Sequence, residues 1–283
     1  MSIKTILVTG ANGQLGNEIK IIAQKSATNF IFTDAKQLDI TNKEVVKAFF
    51  SQYKPDYCIN CAAYTAVDLA EEEREKAYAI NVLGAQYLAE EAKKQNTTLI
   101  HISTDFVFDG AKNTSYSEED IPNPINYYGE TKYLGEQLVQ KSVENYYIVR
   151  TSWLYGSKGN NFVKTMLRLS ETNEELKIVN NQFGSPTYAK DLALFVLSLI
   201  KTKNSFGIYH FSNSGATNWA AFAEKIIYLT KKNTKIKGIP DVEYPTKAKR
   251  PRFSVMNLDK AKNTSLVIRN WEEALKEYIA KGL

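Results

Sequence analysis

Tyr128 and Lys132 stand four residues apart, the spacing that puts two side chains on one face of a helix. In that arrangement the ammonium can lower the phenol's pKa and steady a cofactor. Upstream, Ser103-Thr104-Asp105-Phe106-Val107-Phe108 closes an apolar run, and Thr104 offers a second hydrogen bond to whatever oxygen the phenol serves. These groups describe a proton-transfer site for carbonyl or alcohol redox chemistry, provided a nicotinamide lies beside it. Alone, Tyr-x-x-x-Lys equally describes a surface pair on a helix. The choice between the two depends on the surrounding elements.

The first of those elements is Ile3 to Thr9, a short β-rich apolar run. It ends in Gly10-Ala11-Asn12-Gly13-Gln14-Leu15-Gly16, after which apolar residues recur with helical spacing at Leu15, Ile19, Ile22 and Ala23. Strand, glycine turn and helix N-terminus in that order form a pyrophosphate cradle. Glycines let the backbone approach the phosphates, and the helix end offers free N–H groups. A glycine-rich turn with no ligand is the plain alternative. Asp34 follows a second strand, Asn29 to Thr33, at the position where an acid accepts the adenosine ribose hydroxyls and points to NAD. Lys36, two residues on, could instead pair a 2′-phosphate and point to NADP, and Asp34 would also suit a simple turn. Asp39-Ile40 precedes a helix capped at Thr41 or Asn42 and lies where an adenine ring would pass. A third strand, Tyr57 to Asn60, runs into Cys61-Ala62-Ala63-Tyr64-Thr65, whose small residues permit either a close cofactor or dense strand–helix packing.

The rest of the pattern is the frame. The acid-rich stretch Asp68 to Ala79 reads as a solvated helix face, and Asn81 to Lys94 continues helical. Thr98 to Ser103 is a strand that delivers Thr104 and Asp105, and Pro124 fixes the approach to the helix of Tyr128 and Lys132. Tyr146 to Arg150 is another strand. Such alternation implies an α/β fold, a Rossmann-type doubly wound parallel sheet. Beyond Ser152 the pattern is less regular, with helices expected to Leu169, over Asp191 to Ile200 and over Asn218 to Leu229, the last capped at Thr217. Residues 1–152 are expected to form the dinucleotide-binding domain. Residues 153–283 are expected to form a smaller, mainly C-terminal substrate-binding lobe, with segments near 176–213 returning to the sheet.

The 283 residues are 43% hydrophobic and 24% charged, an ordinary soluble globular composition. A net charge of +5 suits an anionic substrate but is too mild to argue for nucleic acid. Cys58 and Cys61, three apart on a strand, point to opposite faces and read as buried thiols. His101 and His210 lack clustered ligands, so both read as structural and no zinc site is expected. No signal-peptide layout and no apolar stretch near the ~20 residues of a membrane span is present, so a cytoplasmic protein with reduced thiols is expected.

Several longer runs carry a resemblance: Gly13 to Gly16 (GQLG), Asn60 to Asp68 (NCAAYTAVD), Ser103 to Gly110 (STDFVFDG), Tyr128 to Glu136 (YGETKYLGE), Arg150 to Gly156 (RTSWLYG), Gly159 to Leu167 (GNNFVKTML) and Asn181 to Thr187 (NQFGSPT). Through them nearly the whole chain resembles the extended short-chain dehydrogenase/reductase superfamily and, within it, the dTDP-4-dehydrorhamnose reductase family. The resemblance implies reduction of the 4-keto group of a dTDP-4-dehydro sugar by NADPH or NADH. It implies Tyr128 as proton donor with Lys132 and Thr104 as partners, and Thr104, Asp105 and Trp153 in contact with the sugar. Gly13 to Leu15, Asp39-Ile40 and Ala63 to Thr65 would line the cofactor, and Arg250 and Arg252 would meet the substrate pyrophosphate or simply form a solvated basic loop. Phe106 replaces the family's usual tyrosine. Some members are dimers bridged by magnesium through glutamates; Glu18 matches one of these, but Lys190 stands where a second acid belongs and would repel the ion, so a monomer or an unbridged homodimer is expected.

Three other readings compete. A nucleotide-sugar dehydratase needs a carboxylate next to Asp105, and Phe106 cannot serve as acid or base. A 4-epimerase of the same superfamily would hold its NAD through purification. A non-catalytic NADP-binding regulatory subunit would show damage at Tyr128, Lys132 or Thr104, and all three are present.

Overall fold

Apolar runs rich in β-branched residues become strands β1 (Thr5–Thr9), β2 (Asn29–Phe32), β3 (Tyr57–Asn60), β4 (Thr98–Thr104) and β5 (Tyr146–Thr151) in the computed structural model, which describes residues 4–202, 204–264 and 266–282. A sixth strand, Gly207–His210, comes from the later half of the chain and pairs with β5. All neighbours are parallel, and β2, β1, β3, β4, β5 and Gly207–His210 follow one another across a single sheet.

Successive side chains point to opposite faces, so each strand feeds two cores. Ile6, Val8, Ile59, Ile100 and Val149 pack beneath helices Gln14–Ala23 and Ala189–Thr202. Leu7, Cys58, Leu99 and Ile148 meet helices Lys43–Tyr53, Gly84–Gln95 and Tyr127–Ser142. Truncating a side chain such as the fully buried Leu88 to alanine costs about 2–5 kcal/mol in a core of this kind. The winding reverses between β1 and β3, and the crevice at the carboxyl ends of those strands is where such sheets hold ligands.

The later half builds a third core around Tyr155, Val163, Met166, Phe222, Ile226 and Leu275. Of the segments near 176–213, Gly207–His210 enters the main sheet. Glu175–Val179 instead pairs with Lys235–Ile239, Leu154–Tyr155 with Thr187–Tyr188, and Phe183–Gly184 with Thr217–Asn218.

Two local expectations are corrected and a third gains detail. Helix Trp219–Leu229 is capped by Asn218, whose side chain accepts from the Ala221 N–H at 2.9 Å. Thr217 is held in its pairing with Gly184 and its hydroxyl turns to the Asn218 carbonyl. The stretch from Asn81 is helical as expected, opening in a π turn, Ala79–Leu83, that runs into Gly84–Gln95. The acid-rich stretch splits into short helices Val67–Ala70 and Arg74–Tyr78; Glu72, Glu73 and Glu75 are exposed as expected, but Asp68 and Glu71 are engaged. Glu71 accepts the Tyr127 N–H at 2.9 Å, and Asp68 grips Arg250.

Candidate active site

β4 leaves the sheet at Thr104, whose hydroxyl accepts from the Phe106 N–H at 3.2 Å and donates to Asp105 at 3.1 Å. The other Asp105 oxygen accepts from Ser254 Oγ at 2.6 Å. Asp105 is buried, and burial pushes its carboxyl up to about 6 against the pull of the two hydroxyl donors. It therefore stands behind Thr104 and orients it.

Helix Tyr127–Ser142 starts at Asn126, whose side chain accepts from the Gly129 N–H at 2.8 Å and donates to the Lys249 carbonyl at 2.8 Å. A Cβ on Gly129 would come within 2.1 Å of the Phe106 carbonyl oxygen, so glycine is what lets the helix lie against the exit of β4. That contact brings the Tyr128 phenol to the Thr104 hydroxyl, with the Phe106 ring edge-on at 5.7 Å. Burial pushes the phenol up to about 12, which keeps it protonated at neutral pH.

Lys132, one turn further on, donates from Nζ to the Ile102 carbonyl at 2.6 Å and lies 3.5 Å from His101 Nε2. Burial lowers its ammonium to about 8, against the opposing charge of Glu136. The expected depression of the phenol by the ammonium is not what this arrangement gives. Nζ turns toward β4, and desolvation dominates both groups, driving the phenol up and the ammonium down. Glu136 is itself locked in a buried pair with Arg150, at 2.7 Å.

At the carboxyl ends of β1, β2 and β3 lies a cleft of about 560 Å³. Gly10, Asn12 and Gly13 line it from the glycine turn, Asp34, Asp39 and Ile40 from beyond β2, and Ala62 and Ala63 from beyond β3. Gly10 has φ of 62°, and a Cβ there would lie 2.6 Å from the Ala62 nitrogen. Helix Gln14–Ala23 has no side-chain cap, so its first N–H groups remain for a ligand. These features fit a dinucleotide diphosphate. The Asp34 carboxylate is oriented by the Asn12 amide and by the Lys36 and Gln37 N–H groups. Other predicted residues act from outside the cleft. Leu15 is buried, Gly16 lets the helix close on Ala11, and Gln14 turns away to the Leu154 carbonyl and Asn161. Tyr64 and Thr65 flank the wall without lining it; the Tyr64 backbone is held on both sides by Asn81 from the π turn. Sequence reasoning missed Leu38, Cys61, Lys76 and Ile80, which do line the cleft. Lys76 comes from the acid-rich segment and Ile80 from the π turn that follows it, where no pattern marks a ligand.

A second cleft, about 850 Å³, opens between the sheet's edge loops and the third core. Phe162, Met166 and Trp219 give it an apolar wall, and Arg250 and Arg252 a basic rim. Arg250 is clamped in two places by Asp68, at 2.7 and 3.1 Å, whereas Arg252 stays mostly exposed and meets Asp241 only at 3.4 Å. Trp153 adopts a φ of 46° and stacks on Trp219 with ring centroids 3.5 Å apart. Gly184 makes the room, since a Cβ there would fall 2.6 Å from the Trp153 indole.

The family described as the RmlD substrate binding domain matches residues 4–283. The spore coat polysaccharide biosynthesis protein SpsK of Bacillus subtilis is 42% identical, over 97% of this chain and 96% of its own. A dTDP-4-dehydrorhamnose reductase structure from Clostridium acetobutylicum superposes with a TM-score of 0.96 at 45% identity, covering 98% of this chain and 99% of that one. A dTDP-4-dehydrorhamnose reductase from Bacillus anthracis in complex with NADP also superposes at 0.96, with 40% identity over 99% and 100% of the two chains.

Proposed function

The chain belongs to the dTDP-4-dehydrorhamnose reductase family, and from that premise we propose that it reduces the 4-keto group of dTDP-4-dehydro-β-L-rhamnose to give dTDP-L-rhamnose, with NADPH or NADH as reductant. The observation that carries the proposal is the meeting of Tyr128 and Thr104 beside Phe106. Two hydroxyls converge there on one position, and no carboxylate occupies the place that water elimination would need.

The dinucleotide would be held by the uncapped helix end behind Gly13, by Asp34 at the adenosine ribose, and by the wall at Ala62 and Ala63. When bound, it supplies the hydride for the ketone carbon. Tyr128 donates its proton to the ketone oxygen, and Thr104 donates a hydrogen bond to the developing alkoxide. In the structure the Thr104 hydroxyl gives its one hydrogen to Asp105, which Ser254 holds, so that hydrogen turns from the carboxylate to the substrate oxygen as charge develops there. Lys132 supplies positive charge beneath the site while burial near pH 8 keeps it able to exchange its proton. Arg250 and Arg252 on the cleft rim suit the two phosphates of the nucleotide sugar, and Trp219 lines the same cleft with Trp153 stacked on it.

In this reading residues 1–152 are the dinucleotide domain and 153–283 the substrate lobe of a cytoplasmic enzyme with no nucleic-acid partner. It acts as a monomer or as a homodimer without a magnesium bridge, in keeping with the ion pair of Lys190 and Glu277 at 2.8 Å. The test is to generate the 4-dehydro sugar nucleotide in situ and follow NADPH and NADH oxidation by wild type and by Tyr128→Phe. Wild type should turn over, and Tyr128→Phe should lose about 10²–10⁴ in kcat. Absence of wild-type turnover sinks the proposed activity; equal turnover by Tyr128→Phe sinks the role given to the phenol.

A further inference from the structure

Thr9, Asn60 and His101 are register partners on β1, β3 and β4, so their side chains form one polar row across the sheet. Each is only 1% exposed, in a region where parallel sheets are otherwise apolar. The row ends at Lys132: Thr9 Oγ1 donates to Asn60 Oδ1 at 2.7 Å, Asn60 Nδ2 meets His101 Nδ1 at 3.1 Å, and His101 Nε2 lies 3.5 Å from Lys132 Nζ. Burial and the nearby ammonium hold His101 well below its ordinary pKa, so the imidazole is neutral and has one N–H and one lone pair.

The backbone decides which nitrogen carries the hydrogen. The Ala62 N–H donates to Asn60 Oδ1 at 3.2 Å, which fixes the carbonyl end of that amide and turns its NH₂ toward His101. Nδ1 must then accept, and Nε2 must bear the proton. We propose that His101 is a positioning residue for Lys132, held by Asn60 so that an imidazole N–H, not a lone pair, faces Nζ. An N–H in that direction gives the ammonium nothing to bond to. It turns the Nζ hydrogens toward the Ile102 carbonyl, and it donates to the amine lone pair once Lys132 has lost its proton to solvent. The other ionisable groups around Nζ are Cys61 beyond β3 and, on its own helix, Glu136, which Arg150 of β5 neutralises. The inference gives His101 a part in the chemistry where its sequence context suggests only a core residue, and it rests on the role of Lys132 in the proposed reductase.

The only other histidine supplies an internal contrast. His210 Nδ1 faces the Tyr116 carbonyl at 3.1 Å and must donate to it, which leaves Nε2 as acceptor toward Arg150. The two histidines are therefore opposite tautomers. In wild-type protein labelled with ¹⁵N-histidine, one ring should be Nε2-protonated and the other Nδ1-protonated, neither titrating between pH 5.5 and 9 by roughly the shifts burial imposes. The Nε2-protonated set should vanish in His101→Gln. An Nδ1-protonated or titrating His101 overturns the proposal, and this measurement needs no turnover, so it stands apart from failure of the reductase reading. In kinetics, His101→Leu removes the opposed N–H and should move the alkaline limb of kcat/KM up by about half a pH unit or more. His101→Gln can offer its carbonyl to Asn60 and its NH₂ to Nζ, and should return the limb to the wild-type position. If Leu and Gln variants share one limb, His101 serves packing alone.

Discussion

Lys132 is buried in the floor of the site with a single backbone carbonyl as its close acceptor, and burial holds it at about 8 instead of the usual 10.5. The free enzyme therefore keeps the ammonium below that pH and loses it above. With Tyr128 pushed to about 12, the phenol stays protonated throughout that range. The expected kcat/KM profile is flat at neutral pH and falls as pH rises through about 8, which a pH series of initial rates will check. An unbroken plateau to pH 10 would mean that this amine is not required as a cation. Thr104 belongs to the same scale: Thr104→Val keeps the shape but removes the donor, and kcat should fall by about 10²–10³ with KM for the nucleotide sugar little changed.

At the scale of elements, the site depends on two helices that approach closely because glycine lets them. Gly129→Ala would drive a Cβ into the Phe106 carbonyl and push the Tyr128 helix off β4. Steady-state kinetics should find catalysis reduced by at least about 10²-fold, as expected when reacting groups shift by an ångström. Much of this framework was legible in the sequence. The strand, glycine turn and helix of Thr5 to Ala23 announced the cradle through local composition, and Tyr128 with Lys132 declared a shared face through spacing alone. What stayed hidden depends on contacts between distant segments. The π turn at Ala79–Leu83 has no local signature; it exists where Asn81 reaches Tyr64 and Thr131, and where Gly135 leaves space against the Asn81 carbonyl. The engagement of Asp68 by Arg250, and the burial that inverts the expected Tyr128–Lys132 electrostatics, likewise arise only when remote parts of the chain meet.

Across the whole molecule, the Glu136–Arg150 pair sits between helix Tyr127–Ser142 and the sheet with both side chains at 1% exposure or less. Removing one partner strands the other, so Arg150→Met should cost about 3–5 kcal/mol in denaturant unfolding. Replacing both residues with apolar ones of similar volume should recover most of that loss. Saturating NADPH should raise the midpoint of thermal unfolding in wild type, since a ligand at a hundred times its Kd adds about 2.7 kcal/mol to the folded state. The protein's three tryptophans, Trp153, Trp219 and Trp271, all lie beyond residue 152. Two of them are stacked nearly face to face, 9° from parallel, and one of that pair lines the larger cleft. Indoles so close share their excited state, so the near-ultraviolet circular dichroism of this protein should contain a coupled pair of bands that Trp153→Phe or Trp219→Phe abolishes. That indole couplet then becomes a gauge of the larger cleft, separate from the tyrosine bands that report on the half of the molecule around the glycine turn.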